Sequence, residues 1–275
     1  MRLDFHTHAF HPKIAARVLN QLRSRYDISP VGTGLSEDLH TRIRAAGLDR
    51  AVVHTAATRP AQVIPANNWA LHLAREHPWT IPFGTIHPGY HDFEAELERL
   101  KGHGIRGIKL HPGFQGFDLA DPRLVPVFAA MKSHFVVLVH IGDDQPPDTS
   151  PSSPYKLLAI HERFPQLPLV AAHFGGARYW QSASEAILGT AVCVDTSSSL
   201  AFIPDPMLDR IFSRHPLERI FFGSDYPLFD PSRELALLRD RLKLTSEQTD
   251  TLLTAGGRLL GLGSSSLSKE GKSVQ

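Results

Sequence analysis

The sequence predicts an α/β protein in which eight parallel strands alternate with helices. Short apolar runs rich in Val, Ile and Phe recur along the chain, and the segment after each run is long enough to form a helix. The length of 275 residues is close to the ~250 typical of a (β/α)8 barrel. We therefore expect a distorted, single-domain (β/α)8 TIM barrel over residues 1–262, with a doubly wound open sheet as the structural alternative.

The predicted strands share a continuous apolar character, which is typical of strands buried on both faces. They are Leu3–His6, Ala51–His54, Ile81–Thr85, Gly107–His111, Val136–Ile141, Leu169–His173, Val192–Thr196 and Ile220–Ser224. Most of these runs end in a histidine or another polar residue. Since catalytic residues of a barrel lie at the C-terminal ends of its strands, these positions are the first candidates for a site.

The segments between the runs carry helix-start and helix-stop signals. Ser36 is expected to be the N-cap of a helix that ends at Gly47, and Asp92 the N-cap of a later amphipathic helix. Thr245 and Gln248 form a capping-box pattern ahead of another helix. These signals support helices between strands and so the barrel.

Composition excludes several classes of function. A formal net charge of +1 predicts no binding to nucleic acid or to an anionic membrane. We find no apolar run approaching the ~20 residues needed to span a bilayer and no room for a signal peptide before the first strand, so we expect a cytoplasmic protein. The single cysteine, Cys193, is expected to be a buried thiol, and residues 263–275, rich in Ser, Gly and Lys, are expected to form a disordered tail.

A His-x-His pair occupies the first predicted strand. Alternate side chains of a strand point to the same face, so His6 and His8 should project together, with Asp4 below them. Two imidazoles on one strand can bind one cation. Because the chain contains 16 histidines, this pair alone is weak evidence for a metal site.

Three further residues strengthen that interpretation. His140 lies near the end of the fifth run, His173 ends the sixth, and Asp225 follows the eighth. The barrel would bring all of them to the same rim as the His-x-His pair. Imidazole and carboxylate ligands favour a divalent metal, with zinc first and manganese as the alternative, in a catalytic rather than a structural site.

Three local strings carry a family resemblance. Residues 4–8 (DFHTH), 172–176 (AHFGG) and 223–227 (GSDYP) look like signature segments of the amidohydrolase superfamily, in the order that the family has them. The similarity is greatest to the amidohydrolase-2 branch, which includes metal-dependent hydrolases and decarboxylases similar to aminocarboxymuconate semialdehyde decarboxylase. The resemblance runs from residue 3 to about residue 262.

That resemblance implies roles for the rim residues. His6, His8, His140 and Asp225 would hold one metal ion, while His173 would orient the attacking water as acid or base, and Asp225 would shuttle its proton. In binuclear relatives the two later histidines hold a second metal and a carboxylated lysine bridges the two ions. The resemblance places Lys109 at about that position, so one ion is favoured and two remain open.

Other residues are candidates for substrate contacts. Lys109, if it is not carboxylated, would bind an anionic group of the substrate, since a buried lysine needs a partner. Arg59 and Arg178 follow strands and could clamp a carboxylate in bidentate fashion. His111 and Phe114, after the fourth run, would contact an apolar or planar substrate.

A proline-rich stretch follows the fifth run. It begins at Asp143 and continues through Pro151 and Pro154, which excludes a helix over most of its length. Its place beside the expected metal site makes it either a lid or a plain surface connection.

The resemblance implies a metal-dependent hydrolase that uses metal-bound hydroxide on a small, anionic substrate. Its alternative is a non-oxidative, metal-dependent decarboxylase of the same branch, because both activities use the same ligands. A second alternative is a metal-binding barrel without catalysis. The resemblance also suggests a homodimer, although no patch in the sequence demands one.

Overall fold

Nine parallel strands form the centre of the molecule in the computed structural model, which describes residues 1–132 and 134–262. The predicted tail, 263–275, lies outside the described residues. The strands are Leu3–Thr7 (β1), Arg50–Val53 (β2), Thr80–Pro82 (β3), Gly84–Thr85 (β4), Gly107–Leu110 (β5), Val136–Val139 (β6), Leu169–Ala171 (β7), Cys193–Asp195 (β8) and Ile220–Phe221 (β9). The third predicted run is divided at Phe83 into β3 and β4.

The strands belong to two sheets that meet at both ends. The order is β1-β2-β3 in one sheet and β4-β5-β6-β7-β8-β9 in the other. At one junction Phe83 links β3 directly to β4, and its amide donates to the Val53 carbonyl of β2 at 2.9 Å; at the other the Phe5 amide donates to the Phe222 carbonyl at 2.8 Å. Strands therefore follow one another around a ring, and the predicted TIM-barrel architecture is confirmed.

Helices alternate with the strands along the described chain. They are Pro12–Tyr26 (α1), Ser36–Ala45 (α2), Val63–Glu76 (α3), Phe93–Gly102 (α4), Pro112–Gln115 (α5), Leu124–Met131 (α6), Pro154–Arg163 (α7), Trp180–Ala186 (α8), Asp205–Arg214 (α9), Pro231–Leu242 (α10) and Ser246–Leu259 (α11), with 3-10 turns at Pro60–Gln62, His173–Gly175 and Leu217–Arg219. None of these described helices combines the length and hydrophobicity needed to cross a membrane.

The helix-start predictions have mixed outcomes. The capping box of Thr245 and Gln248 is confirmed at the start of α11. Ser36, the predicted N-cap, is instead the first residue of α2, and Leu35 takes the cap position. Asp92 does precede α4, although its side chain makes no capping hydrogen bond.

Two layers of apolar side chains position the rim. The larger one lies where the strands face the surrounding helices, as in other barrels. The smaller one fills the barrel, where the Phe5 ring packs 5.9 Å from Phe83 and 4.7 Å from Phe221. Cys193 is buried in this inner cluster, and α11 packs against it through Ala255 and Leu260. This filled interior supports the side chains that stand at the strand ends.

Candidate active site

The His-x-His strand reaches the site through an irregular backbone. Phe5 belongs to the inner apolar cluster, yet the next residue, His6, also enters the site. A register shift between Asp4 and Thr7 in the pairing of β1 with β2 allows two successive side chains to face inward. The Asp4 carboxylate accepts hydrogen bonds from the backbone amides of His6 at 3.1 Å and Ser224 at 3.0 Å. Its predicted place below the two histidines stays a prediction.

His6, His8 and Asp225 converge at the rim. Asp225 Oδ1 lies 3.1 Å from His8 Nε2 and 3.5 Å from His6 Nε2. Burial raises the pKa of Asp225, but the two histidines lower it well below its usual range, so the group is a carboxylate. The hydroxyl of Ser198 donates to the second carboxylate oxygen. These three residues offer two imidazole nitrogens and one carboxylate oxygen to a common point.

Asp195, at the end of β8, holds the His6 ring in place. Its Oδ2 lies 2.7 Å from His6 Nδ1, and its Oδ1 accepts from the backbone amides of His173 and Ser197, both at 3.1 Å. Burial acts to raise the pKa of Asp195, but His6 and the hydrogen bonds lower it overall. The ionised carboxylate fixes a proton on Nδ1 and leaves Nε2 free, as in the carboxylate–histidine pairs of many metal centres.

Sequence reasoning missed Asp195, although a signal was present. It lies in the apolar run beginning at Val192 and near its end, which is the criterion that selected His173 and Asp225. The contact with His6 crosses 189 residues of chain and has no local motif.

His173 and His140 form a pair beside this cluster. His173 Nε2 lies 2.9 Å from His140 Nδ1, while His173 Nδ1 faces the Ser197 carbonyl at 3.0 Å and His140 Nε2 faces the Gly142 carbonyl at 3.1 Å. Burial lowers the pKa of both histidines. In the structure the ring nitrogens of His140 contact His173 and the Gly142 carbonyl instead of His6 or His8.

Two groups of side chains could hold a metal ion within the described residues. One is His6, His8 and His54, and the other is His6, His173 and Asp225. In each group the three ligand atoms lie within 4.8 Å of one another. Because imidazole and carboxylate donors suit first-row divalent metals, the residues present fit such an ion. Asp225 shares an oxygen contact with the two histidines of the first strand, so both groups belong to one centre.

Lys109 lies inside the barrel next to this centre. Its Nζ is 3.5 Å from His6 Nε2, and only 1% of the residue is exposed. Burial lowers the pKa of Lys109 to about 8, while Asp195 and Asp225 act to raise it. As an ammonium this buried side chain could meet an anionic substrate group, and as the neutral amine it could carry a carbamate; the role of Lys109 stays a prediction.

Planar side chains form one wall. His111 stacks on His140 with 3.8 Å between ring centroids and 10° between planes, and on Phe114 at 4.1 Å and 17°. The Tyr26 hydroxyl lies 3.5 Å from His111 Nε2. Tyr26 ends α1, and nothing in its local sequence marks it, so sequence reasoning missed it.

The two predicted arginine clamps lie away from the cluster. Arg59 is exposed at the start of a 3-10 turn. Arg178 has 71% of its side chain exposed and pairs with Asp144, whose carboxylate also lies 3.8 Å from Arg25. Both arginines remain predicted substrate contacts, but the structure does not bring them to the histidines.

The proline-rich segment after β6 is tied down. Asp143 accepts hydrogen bonds from the Ser150 and Tyr179 hydroxyls, both at 2.7 Å. Its neighbour Asp144 pairs with Arg178 in the loop after β7. These contacts fix the segment against the loop after β7 at the edge of the rim.

A model of the amidohydrolase family matches residues 3–255. The chain belongs to the amidohydrolase-2 branch of this superfamily. The predicted family is thus confirmed.

Solved structures support the fold. An uncharacterised TIM-barrel protein from Bordetella bronchiseptica superimposes with a TM-score of 0.77 at 19% identity, over 95% of this chain and 98% of that one. The 5-carboxyvanillate decarboxylase LigW from Sphingomonas paucimobilis gives 0.69 at 13%, covering 95% and 99%. A dihydroxybenzoic acid decarboxylase from Polaromonas sp. JS666, solved with manganese and 2-nitroresorcinol, gives 0.72 at 13%, covering 95% and 97%. At these identities the similarity establishes the fold.

Proposed function

We propose that this protein is a metal-dependent, non-oxidative decarboxylase of a small aromatic carboxylic acid. The observation that carries the proposal is the placement of a stacked wall of planar side chains directly beside the histidine–carboxylate cluster. Two of the similar structures are decarboxylases of aromatic acids, and one was solved with manganese. These relatives favour decarboxylation over the hydrolysis that the sequence suggests.

The cluster would hold a divalent ion through His6, His8 and Asp225, with a further imidazole nearby. When bound, such an ion acts as a Lewis acid that withdraws electrons from the bond that breaks. Asp195 keeps the His6 nitrogen available for this role. Manganese and zinc both suit these donors, and the manganese of the Polaromonas enzyme makes it the first metal to test.

Two features of the pocket would orient the substrate. The buried ammonium of Lys109 would pair with the substrate carboxylate or an adjacent phenolate, since both are otherwise hard to bury. His111 and Phe114 offer the edge of a planar stack against which an aromatic ring can pack. Tyr26 would present its hydroxyl at the same side.

The reaction needs one proton at the carbon that loses carbon dioxide. The bond between ring carbon and carboxylate breaks, carbon dioxide leaves, and the electron pair on carbon takes the proton. His173 and His140 are suited to supply it. The two rings form a hydrogen-bonded chain that runs from the Ser197 carbonyl through His173 and His140 to the Gly142 carbonyl. Each of its three hydrogen bonds needs one N–H proton, whereas two neutral imidazoles carry only two. An added proton would complete the chain, and burial makes it easy to release, because burial lowers the pKa of both histidines.

The test incubates the manganese-loaded protein with a panel of hydroxybenzoic acids and measures turnover as release of carbon dioxide. In deuterated water the product ring should carry one deuterium at the carbon that lost the carboxylate. Turnover of an ester, amide or lactone panel without carbon dioxide would overturn the proposal in favour of hydrolysis. Metal binding with no turnover on either panel would favour the non-catalytic barrel.

A matched pair of histidine variants assigns the proton donor. His173→Asn should lower kcat by about 10²–10⁴-fold, the usual contribution of a general acid. His161→Asn, on the outer helix α7, should keep kcat within about twofold, as expected for a surface change outside the site. Equal activity of the two variants would remove His173 from the chemistry.

A further inference from the structure

His54 stands at the end of β2 with both ring nitrogens unpartnered. It is 1% exposed, and neither Nδ1 nor Nε2 has a hydrogen-bond partner in the described part of the chain. A buried polar atom left without a partner costs about 1–3 kcal/mol. Buried side-chain nitrogens without a partner are uncommon in native proteins and call for an explanation such as an ion.

The ring is placed edge-on between the two histidines of the first strand. Its centroid lies 4.5 Å from that of His6 and 4.5 Å from that of His8, with planes at 73° and 85°. One of its nitrogens falls within 4.8 Å of a nitrogen of each. No other histidine among the described residues is grouped with both.

The hydrogen bonds of these neighbours show which nitrogen of each ring faces the centre. His6 Nδ1 is bound to Asp195 at 2.7 Å, and His8 Nδ1 contacts the His54 carbonyl at 2.9 Å. Each ring thus turns Nε2 toward the centre, where His8 Nε2 lies 3.1 Å from Asp225 Oδ1 and His6 Nε2 lies 3.5 Å from Lys109 Nζ. The carbonyl of His54 positions His8 while the side chain of His54 stays free.

His140, the strand-end histidine assigned by resemblance, has a different environment. Both of its nitrogens face protein atoms, His173 Nε2 at 2.9 Å and the Gly142 carbonyl at 3.1 Å. It belongs to neither candidate ligand group. The imidazole that is free and adjacent to His6 and His8 is that of His54.

We propose that His54 is a metal ligand, so that His6, His8 and His54 present three imidazoles to one divalent cation beside the Asp225 carboxylate. Such a donor set, rich in nitrogen, suits zinc, manganese, iron, cobalt or nickel rather than magnesium or calcium. This assignment rests on the metal centre of the proposed function and adds a ligand from the second strand of the barrel.

The test compares His54→Leu with His215→Leu, which changes a buried histidine outside both candidate ligand groups. Metal content per chain is measured by plasma emission, and Mn²⁺ and Zn²⁺ affinities by competition with a chromogenic chelator. We expect His54→Leu to weaken binding at least ~10-fold, since loss of even an outer-shell partner costs 10–100-fold. His215→Leu should bind as the unmodified protein does. Unchanged affinity in His54→Leu, or an equal loss of affinity in His215→Leu, would overturn the assignment.

A second readout separates coordination from folding. Thermal unfolding of both variants in EDTA shows whether they fold without metal, and His54→Gln replaces His54→Leu if the latter does not. The Co²⁺-loaded protein reports the coordination number and geometry of the ion through its visible absorption, which should change in the His54 variant. An unchanged spectrum in that variant would also overturn the assignment.

The same experiments distinguish the two proposals. A protein that binds metal and releases carbon dioxide, but whose His54 variants bind metal normally, fails only this inference. A protein that loses metal in the His54 variant yet decarboxylates nothing fails only the proposed function.

Discussion

At the scale of single residues, the direction of a lone pair decides whether a histidine can bind a cation. Asp195 decides it for His6, because a carboxylate 2.7 Å from Nδ1 holds the proton there and points Nε2 into the site. The backbone carbonyl of His54 has the same effect on His8, at 2.9 Å. Which nitrogen of His6 and His8 is available to a cation therefore depends on residues that need not touch the ion.

Asp195→Asn tests this dependence. The amide can still accept from His6 but lacks the charge that makes the imidazole a stronger donor, so we expect metal affinity to fall about 10–100-fold. Chelator competition measures the affinity, and unfolding in EDTA checks the fold. Asp230→Asn is the control, because that carboxylate caps α10 and lies outside the two ligand groups. Affinity equal to that of the control would show that Ser197, whose hydroxyl is 3.0 Å from His6 Nδ1, suffices.

At the scale of elements, the last helix of the described chain packs against the first strand. Helix α11 packs against β1, and Gly256 is the point of closest approach, since a Cβ built there would lie 2.3 Å from the Phe5 ring. The adjacent Gly257 has room, with its nearest neighbour, Leu3, at 3.5 Å. Two adjacent glycines of one helix thus differ in the space available to a side chain, which is absent at Gly256 and present at Gly257.

Gly256→Ala and Gly257→Ala should therefore change stability in opposite directions. The first forces the Phe5 ring out of a filled core, and we expect it to lower the free energy of unfolding by about 1–3 kcal/mol. The second removes the flexibility of a helical glycine at little steric cost and should be neutral or raise it by up to ~1 kcal/mol. Urea unfolding of both variants measures the difference. Equal destabilisation would mean that helix α11 does not limit the packing of the barrel interior.

At the scale of the whole molecule, many buried imidazoles make folding sensitive to acid. Burial lowers the pKa of His54, His111 and His140, but these lie in or beside the candidate metal centre. His215 is remote from that centre and 3% exposed. Burial, with a smaller effect of Arg219, lowers its pKa from 6.5 to about 4. Its Nδ1 accepts from the Gly189 amide at 3.2 Å.

The sign of this effect follows from proton uptake. Between pH 6.5 and about 4 the unfolded chain protonates His215 while the folded chain does not, so stability falls as the pH falls through that window. The full difference is on the order of 3 kcal/mol. His215→Asn, which keeps an acceptor for the Gly189 amide, should lose less stability than the unmodified protein from pH 7 to pH 4. Parallel stability–pH curves, from urea unfolding in EDTA, would rule out His215 as a source of acid sensitivity.

The amino-acid pattern is enough to predict the barrel, its family and the rim on which chemistry-bearing residues gather. Strand periodicity is a local property, and the rule that sites form at strand ends needs only the strand boundaries. The pattern alone therefore predicts one rim for five residues, which are His6, His8, His140, His173 and Asp225. The place of Lys109 comes from the family resemblance, and in the structure its Nζ lies 3.5 Å from His6 Nε2.

Tertiary packing sets which atoms are free to bind. The irregularity in β1 depends on its pairing with β2 and turns two successive side chains inward, which no periodic pattern shows. Asp195 contacts His6 across 189 residues, and Tyr26 reaches His111 from the end of another helix. His54 and His140 look alike in the sequence, as histidines at strand ends. Among the described residues, packing leaves the nitrogens of His54 unpartnered and gives those of His140 protein neighbours, because hydrogen bonding depends on distances that only the folded chain sets.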